Sequence, residues 1–283
     1  MACRLPKRVT KNKPMLPVFI RLPIRFLAAL LLTLALMPIQ TLCLVFDLPQ
    51  KKTIPIFFWQ CLLKILNIEL RLYGTKPAPP VLILANHISW LDIPIIGSVL
   101  PVVFIAKSEI ARWPFFGLIA KLGRTIFIKR ELRFDTPKQR DMVQERLAEG
   151  DCPVLFPEGT TGNGTIVRPF KSALLSVAET KQALAGVKVQ PLSLVFSKFC
   201  GISMGRRQRL NYALTGDVSL WRHMMKFFIG DPIMVDLVFH PPIEFSQIGD
   251  RKILASHAHR LIQSGLAAFT AGHRDETLIA EKQ

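Results

Sequence analysis

Followed for its apolar and polar positions, the chain opens on a long uncharged run and then settles into short alternating blocks. Phe26 to Phe46, "FLAALLLTLALMPIQTLCLVF", passes 21 residues without a charge. At about 1.5 Å of helical rise per residue, such a run matches a bilayer's hydrocarbon core of about 30 Å. A second apolar stretch, 54–68, is shorter and carries Lys64. It either returns the chain across the bilayer or lies in the interface with Trp59 at headgroup level. Pro38 offers a point at which the first helix breaks and becomes re-entrant. After the turn Pro77-Ala-Pro-Pro80, apolar runs predict strands at about 81–85, 125–129, 153–156, 188–196, 209–214 and 233–239. Helices fit at about 89–99, 108–121, 137–149, 170–184 and 252–270. Asp135-Thr136, Pro137 and Gly150 punctuate the third of these. Apolar strands separated by helices predict an α/β fold, a mixed sheet flanked by helices, behind an N-terminal membrane-embedded helical segment. The expected division is a basic N-terminus over 1–25, membrane-associated helices over 26–70, a folded domain over 71–270 and a tail over 271–283.

Composition sharpens the membrane reading. Half of the 283 residues are hydrophobic, yet 37 basic residues against 20 acidic ones give a net charge of +17. A chain both greasy and basic suits an anionic lipid surface, where each Lys or Arg adds roughly 1 kcal/mol of attraction. Nucleic acid is not the expected partner, because zinc-finger spacing, RNA-binding aromatic signatures and basic heptads are all missing. Residues 1–25 carry seven basic side chains and no acidic one, which predicts a cytoplasmic N-terminus. A cleavable signal peptide fits poorly: the apolar run is too long, and no small-x-small site follows before Asp47. The five cysteines form no CxxC pair, so the sequence indicates a reducing compartment, with neither a disulfide framework nor a zinc site.

The chemistry enters at 81–94, "VLILANHISWLDIP". A strand ending near Ala85 puts Asn86 and His87 at its C-terminal edge, where open α/β sheets place ligands. Ser89 can cap the following helix, with Asp92 at its third position. On one continuous helix, residues five apart point about 140° from each other. With His87 in the loop ahead of the helix, the two side chains can meet. The carboxylate then holds one imidazole nitrogen and leaves the other free as a base. Taken alone, an H-x4-D is more often just a helix-start carboxylate beside a loop histidine, and it is the neighbouring motifs that favour the catalytic reading.

Four blocks together carry a family resemblance. "NHISWLD" (86–92) resembles the first motif of the glycerophospholipid acyltransferases, the enzymes that acylate lysophosphatidic acid. "GRTIFIKR" (123–130), "FPEGTTG" (156–162) and "VQPLSL" (189–194) resemble the second, third and fourth, in the family's order, and the likeness covers about 70–240. The resemblance implies that His87 is the general base and Asp92 its orienting partner. A lysolipid hydroxyl would attack an acyl thioester and release coenzyme A or acyl carrier protein, with no covalent enzyme intermediate, no metal and no other cofactor. Backbone amides between Gly159 and Gly164 are the expected oxyanion donors. Arg130 is the leading headgroup cation, with Lys107 and Lys171 behind it. Glu158, with Gly159 and Thr160 beside it, would orient substrate or a neighbouring cation. Many members that use lysophosphatidic acid read E-G-T-R in the third motif, where this chain has Glu158-Gly-Thr-Thr161. "SWLDIP", "MGRRQR" and the opening apolar run are similar to a bacterial branch that includes lyso-ornithine lipid acyltransferases, whose acceptor lacks phosphate. The expected product is phosphatidic acid from lysophosphatidic acid, and the alternative is acylation of a phosphate-free lysolipid.

Rival readings are weaker. "GISMG" (201–205) matches the G-x-S-x-G elbow around Ser203, but that motif needs a strand immediately before it and a helix immediately after. A lipid-binding protein without chemistry is disfavoured, since His87, Asp92, Glu158 and Arg130 are all present. His257 and His259, two apart on a predicted helix, face different ways and make no metal pair. Trp113-Pro-Phe-Phe116 reads as core packing or as a membrane-facing lip. Because acyl donors are cytosolic, the catalytic domain is expected on the cytoplasmic side of a bacterial inner membrane, with the N-terminal segments hairpinned or re-entrant.

Overall fold

The structure is a computed structural model that describes residues 17–128, 137–179, 188–216 and 218–273. Arg130, Lys129 and the Asp135-Thr136 cap lie outside the described residues. Among the described residues one sheet holds nine strands. They are β1 (Ile68–Tyr73), β2 (Val81–Ala85), β3 (Val102–Lys107), β4 (Ile126–Ile128), β5 (Cys152–Leu155), β6 (Lys188–Phe199), β7 (Ile202–Ser203), β8 (Ile233–Phe239) and β9 (Ile243–Glu244). The main order is β1-β8-β6-β2-β5-β3-β4, with β7 and β9 hung on β6. From β6 through β2, β5 and β3 to β4 every pairing is parallel, whereas β8 runs antiparallel to β6 and parallel to β1. The sheet is mixed, as the sequence predicts.

A parallel strand between helices is buried on both faces, which is why β2 reads as unbroken apolar residues. Its alternate side chains enter different cores: Ile83 joins Leu66, Ile95 and Leu194 on one face, while Leu82 and Leu84 join Val189, Leu254 and Ile262 on the other. Helices α2 (Thr53–Ile65) and α3 (Asp92–Gly97) cover the first face. The long α8 (Arg251–Thr270), begun by Asp250 accepting from the Lys252 and Ile253 amides, covers the second. Between them come α4 (Phe116–Leu122), α5 (Pro137–Ala148), α6 (Arg206–Tyr212) and α7 (Leu220–Ile229).

Helix α1 (Val18–Val45) is long and apolar enough to cross a membrane, and little of it is buried. It continues through Pro23 and Pro38, so Pro38 does not break it. Both ends are tied to the domain. Arg25 donates to the Phe228 and Gly230 carbonyls at 3.0 and 2.8 Å, and Arg21 pairs with Asp231 at 2.8 Å. Near the other end Gln40 donates to the Leu122 carbonyl at 2.9 Å and to that of Lys51 at 3.1 Å. The Phe228 and Gly230 carbonyls lie at the end of α7, that of Leu122 ends α4 and that of Lys51 lies in the turn before α2, so α1 lies along the domain. The second apolar stretch also belongs to the domain: Leu62, Leu63 and Leu66 enter the core, the Trp59 indole lies against Gly97, and β1 begins at Ile68.

Several predicted elements change. Residues 209–214 form no strand; Arg206–Tyr212 is helical, because "RRQRL" is built of good helix formers whose apolar positions only imitate alternation. Pro114 divides the expected 108–121 helix into a 3-10 turn, Ser108–Arg112, and α4. The helix expected over 170–184 is 3-10 over Ser172–Glu179, and residues 180–184 lie outside the described residues.

Candidate active site

The parallel register builds the site. Ile83 pairs with Val154 and Leu84 with Leu155, so the same offset carries His87 level with Glu158 just beyond the strand ends. The His87 amide donates to Glu158 Oε1 at 2.8 Å, and Glu158 Oε2 takes the Arg168 amide at 2.9 Å. Buried among main-chain groups, this carboxyl has its pKa raised by desolvation, against the pull of its two amide bonds. Its work is to fix the backbone of the first and third motifs to each other. On the other side of β2, the Asn86 amide group continues the ladder, donating to the Leu194 carbonyl at 3.0 Å and accepting from the Leu194 amide at 2.8 Å.

Asp92 is fully buried, and its Oδ2 lies 2.7 Å from His87 Nδ1. The same oxygen accepts the Ile88 amide at 2.6 Å and the Ser89 amide at 2.9 Å. With that oxygen accepting two amides as well, Nδ1 is the donor to it, and in the neutral imidazole the lone pair then lies on Nε2. Asp92 opens α3, and the turn ahead of it has the reciprocal bonds of a capping box: the Ser89 hydroxyl accepts the Leu91 amide while the Asp92 carboxylate accepts the Ser89 amide. The His87 ring stacks on Phe156 at 4.1 Å between centroids, with 17° between planes. Behind Phe156, Phe104 lies nearly parallel at 6.4 Å and forms part of the wall of a cavity of about 570 Å³. Trp59, Trp90, Phe116, Met224 and Phe228 line that cavity too. His87 and Asp92 do not line it; the two phenylalanines stand between.

The loop after β5 folds over His87. The Gly162 amide donates to the His87 carbonyl at 2.6 Å, and a Cβ on Gly162 would stand 2.9 Å from Glu158 Oε2, so glycine is needed for the close approach. The Leu214 amide donates to the Ile88 carbonyl at 2.8 Å, while the Thr161 hydroxyl donates to the Leu214 carbonyl. A histidine anchored through Nδ1 thus stands on the rim of the parallel part of the sheet, under a glycine-rich loop, with an apolar cavity beyond two phenylalanines. An imidazole so placed can exchange a proton through Nε2.

Residues 68–195 match the Acyltransferase family model. A lyso-ornithine lipid O-acyltransferase from Rhizobium meliloti is 34% identical over 238 residues, spanning 83% of this chain and 82% of the relative. This chain belongs to the lysolipid acyltransferase family. A 1-acyl-sn-glycerol-3-phosphate acyltransferase from Neisseria gonorrhoeae is 38% identical to the acyltransferase over 160 residues, 55% of this chain and 60% of the relative. In the fold, the acyltransferase is similar to the crystal structure of PlsC, a 1-acyl-sn-glycerophosphate (LPA) acyltransferase from Thermotoga maritima. The TM-score is 0.53 at 22% identity, over 87% of this chain and 98% of that one.

Of the other predicted residues in the acyltransferase, Lys171 donates its amide to Pro157 O at 3.0 Å and brings Nζ within 3.1 Å of where a Gly159 Cβ would be. Gly159 itself has φ of +70°. Thr160 is exposed beside it, and Lys107 ends β3 opposite Ile128 of β4, on the same rim. Arg130 lies outside the described residues. Of the amides proposed for the oxyanion, those of Gly159 and Gly162 are already bonded to Phe156 O and His87 O. Ser203 sits in the exposed two-residue β7, with no positive-φ elbow at the serine. Sequence reasoning missed the roles of Asn86 and Leu214, and it missed His223, which meets Ser89 inside the protein. Asn86 was signalled by its place in the first motif; Leu214 acts through its main chain and leaves no sequence signal.

Proposed function

We propose that this acyltransferase esterifies the free hydroxyl of a lyso-ornithine lipid. His87 Nε2 takes the hydroxyl proton as the oxygen attacks the carbonyl of an acyl thioester. Collapse of the tetrahedral intermediate releases the thiolate of coenzyme A or acyl carrier protein, which recovers that proton from His87. The observation that carries the mechanism is the 2.7 Å contact between His87 Nδ1 and Asp92, on an oxygen already holding two amides. Support for the acceptor comes from Thr161. Its hydroxyl is spent on the Leu214 carbonyl, at the place where many users of lysophosphatidic acid carry arginine. The Rhizobium relative adds weight by covering most of both chains. The second reading, lysophosphatidic acid giving phosphatidic acid, is favoured by the Neisseria relative and by the Lys171 ammonium beside Gly159.

The cavity of about 570 Å³ is the proposed seat of an alkyl chain; ligand pockets run to about 300–1,000 Å³. Its lining includes Trp113, Phe115 and Trp221, all of which are also exposed, as a lip dipping into a bilayer would be. Helix α1, apolar outside and tied down at both ends, suits an element lying in one leaflet better than one standing across the membrane. The proposed location is the cytoplasmic side of a bacterial inner membrane.

The test is acyl transfer by the detergent-solubilised full chain to lyso-ornithine lipid and lysophosphatidic acid side by side, with His87→Ala as blank. Faster reaction of the ornithine lipid supports the proposal. A preference for lysophosphatidic acid overturns the acceptor, and no transfer above the blank overturns the activity.

A further inference from the structure

A buried histidine sits where an apolar residue would cost less. His223, on α7, is completely buried, and its Nε2 lies 3.0 Å from Ser89 Oγ. Its Nδ1 has no hydrogen-bond partner among the described residues. Neighbours on the same helix, Met224, Phe227 and Phe228, are buried too, and Phe227 meets the imidazole edge-on at 5.3 Å. Burying an imidazole with one nitrogen unpaired costs free energy that a leucine or phenylalanine would not. Desolvation pushes its pKa down to about 4, so the ring is neutral at pH 7 and adds no charge to the site. What it supplies is one directional bond to Ser89.

Ser89 is at the centre of the loop that matters. Its amide is one of the donors to Asp92 Oδ2, and its hydroxyl accepts the Leu91 amide at 3.2 Å. A hydroxyl free to rotate would let this turn relax; one held from the far side by His223 cannot. We infer that His223 is a positioning residue, which acts through Ser89 to hold the Ile88 and Ser89 amides on Asp92 and so keeps the His87 imidazole in its reactive orientation. The inference rests on the acyl-transfer reading for its kinetic part only. Helix α7 also carries Trp221, Met224 and Phe228 of the cavity wall and receives Arg25 of α1 at its C-terminal end. The orientation of His87 is therefore tied to an element that both the cavity and α1 touch.

The test uses the full chain in detergent with four variants: His223→Phe, His223→Gln, Ser89→Ala and the Ser89→Ala/His223→Phe double. A misplaced catalytic group costs up to about 100-fold in rate, so kcat should fall about 10- to 100-fold in His223→Phe and Ser89→Ala while both KM values stay within about twofold. The double variant should be no slower than the slower single, because one bond cannot be lost twice. His223→Gln, whose amide group reaches Ser89, should recover most of the rate. Hydrogen exchange of the Ile88 and Ser89 amides needs no substrate and should quicken about tenfold or more in His223→Phe and Ser89→Ala, but not in His223→Gln. Unchanged exchange, multiplicative losses in the double variant, or wild-type kcat in His223→Phe would each overturn the inference. If the wild type transfers no acyl group, the activity reading fails and the exchange comparison still decides the role of His223.

Discussion

His87 Nδ1 and Asp92 Oδ2 are 2.7 Å apart, and the oxygen is shared with the amides of Ile88 and Ser89. This sharing separates orientation from charge. Asp92 could hold the ring through a single contact, but three donors on one oxygen leave the carboxylate no freedom to turn. Its other oxygen, Oδ1, is buried without a hydrogen-bond partner among the described residues.

Substitution of either residue should act on rate rather than binding. His87→Ala removes the proposed base and should reduce kcat by about 10²- to 10⁴-fold, the usual worth of a positioned acid–base group. Asp92→Asn can turn its amide nitrogen toward Nδ1 and stabilise the wrong tautomer, so a loss of similar order is expected. Steady-state kinetics with both acceptors checks this, and a change confined to KM would contradict it.

Glu158→Gln keeps the size of the side chain but supplies only one accepting oxygen for two amide hydrogens, those of His87 and Arg168. One amide then faces a donor, at a cost of about 1–3 kcal/mol. The denaturation midpoint should drop accordingly, and activity should fall with it. A variant as stable as the parent would mean that the loop rearranges without strain.

Thr161 gives a test of acceptor choice. Thr161→Arg adds a guanidinium at the third motif, and a charge-assisted bond to phosphate is worth about 1.5–3 kcal/mol. The ratio of lysophosphatidic acid to lyso-ornithine lipid turnover should rise by about tenfold or more. Thr161→Val, which only releases the Leu214 carbonyl, should lower both activities and leave their ratio near that of the parent.

Stability should depend on His240. It is buried against the Ser193 hydroxyl at 2.7 Å, and desolvation lowers its pKa from 6.5 to about 4. Because the folded pKa lies below the unfolded one, the contribution is complete above pH 6.5. It is lost as pH falls from there toward 4, where the unfolded chain takes up the proton first. The loss is on the order of 3 kcal/mol. Chemical denaturation across that range should show the slope, and His240→Asn should roughly halve it, because His223 titrates over the same range.

The aromatic knuckle after the Ser108–Arg112 turn divides its labour. All three aromatic residues line the cavity, but Trp113 and Phe115 are also exposed, the latter held at φ of +63°, whereas Phe116 is half-buried. Serine at both 113 and 115 should weaken flotation with anionic vesicles several-fold. Phe116→Ala should instead shift the preferred acyl-chain length. Unchanged flotation in the double serine variant would remove the lip.

The parts of this site that were legible in the sequence are those where one segment states its own role. Strand β2 is an apolar run ending in Asn86-His87, and the loop that follows is short enough to return Asp92 to the histidine. Strands β1 and β3 were hidden, β1 because its apolar residues continue the membrane-like stretch and β3 because Pro101 and Ser108 enclose only six residues. The 209–214 segment imitated alternation. Glu158 was picked out by its motif, but its partners are main-chain amides, and no spacing rule encodes those. His223 had no signal at all: one histidine on an amphipathic helix looks like any other.

Leu214 serves the rim through its main chain, an N–H to Ile88 and a carbonyl to Thr161. Every residue except proline can supply both groups. At position 214 itself, the two bonds that knot the first and third motifs together therefore ask for no particular side chain, whereas Ala213 and Tyr212 before it belong to the core. What this one position presents can be exchanged while the knot stays tied, so the surface here can be reshaped without disturbing the contact between His87 and Asp92.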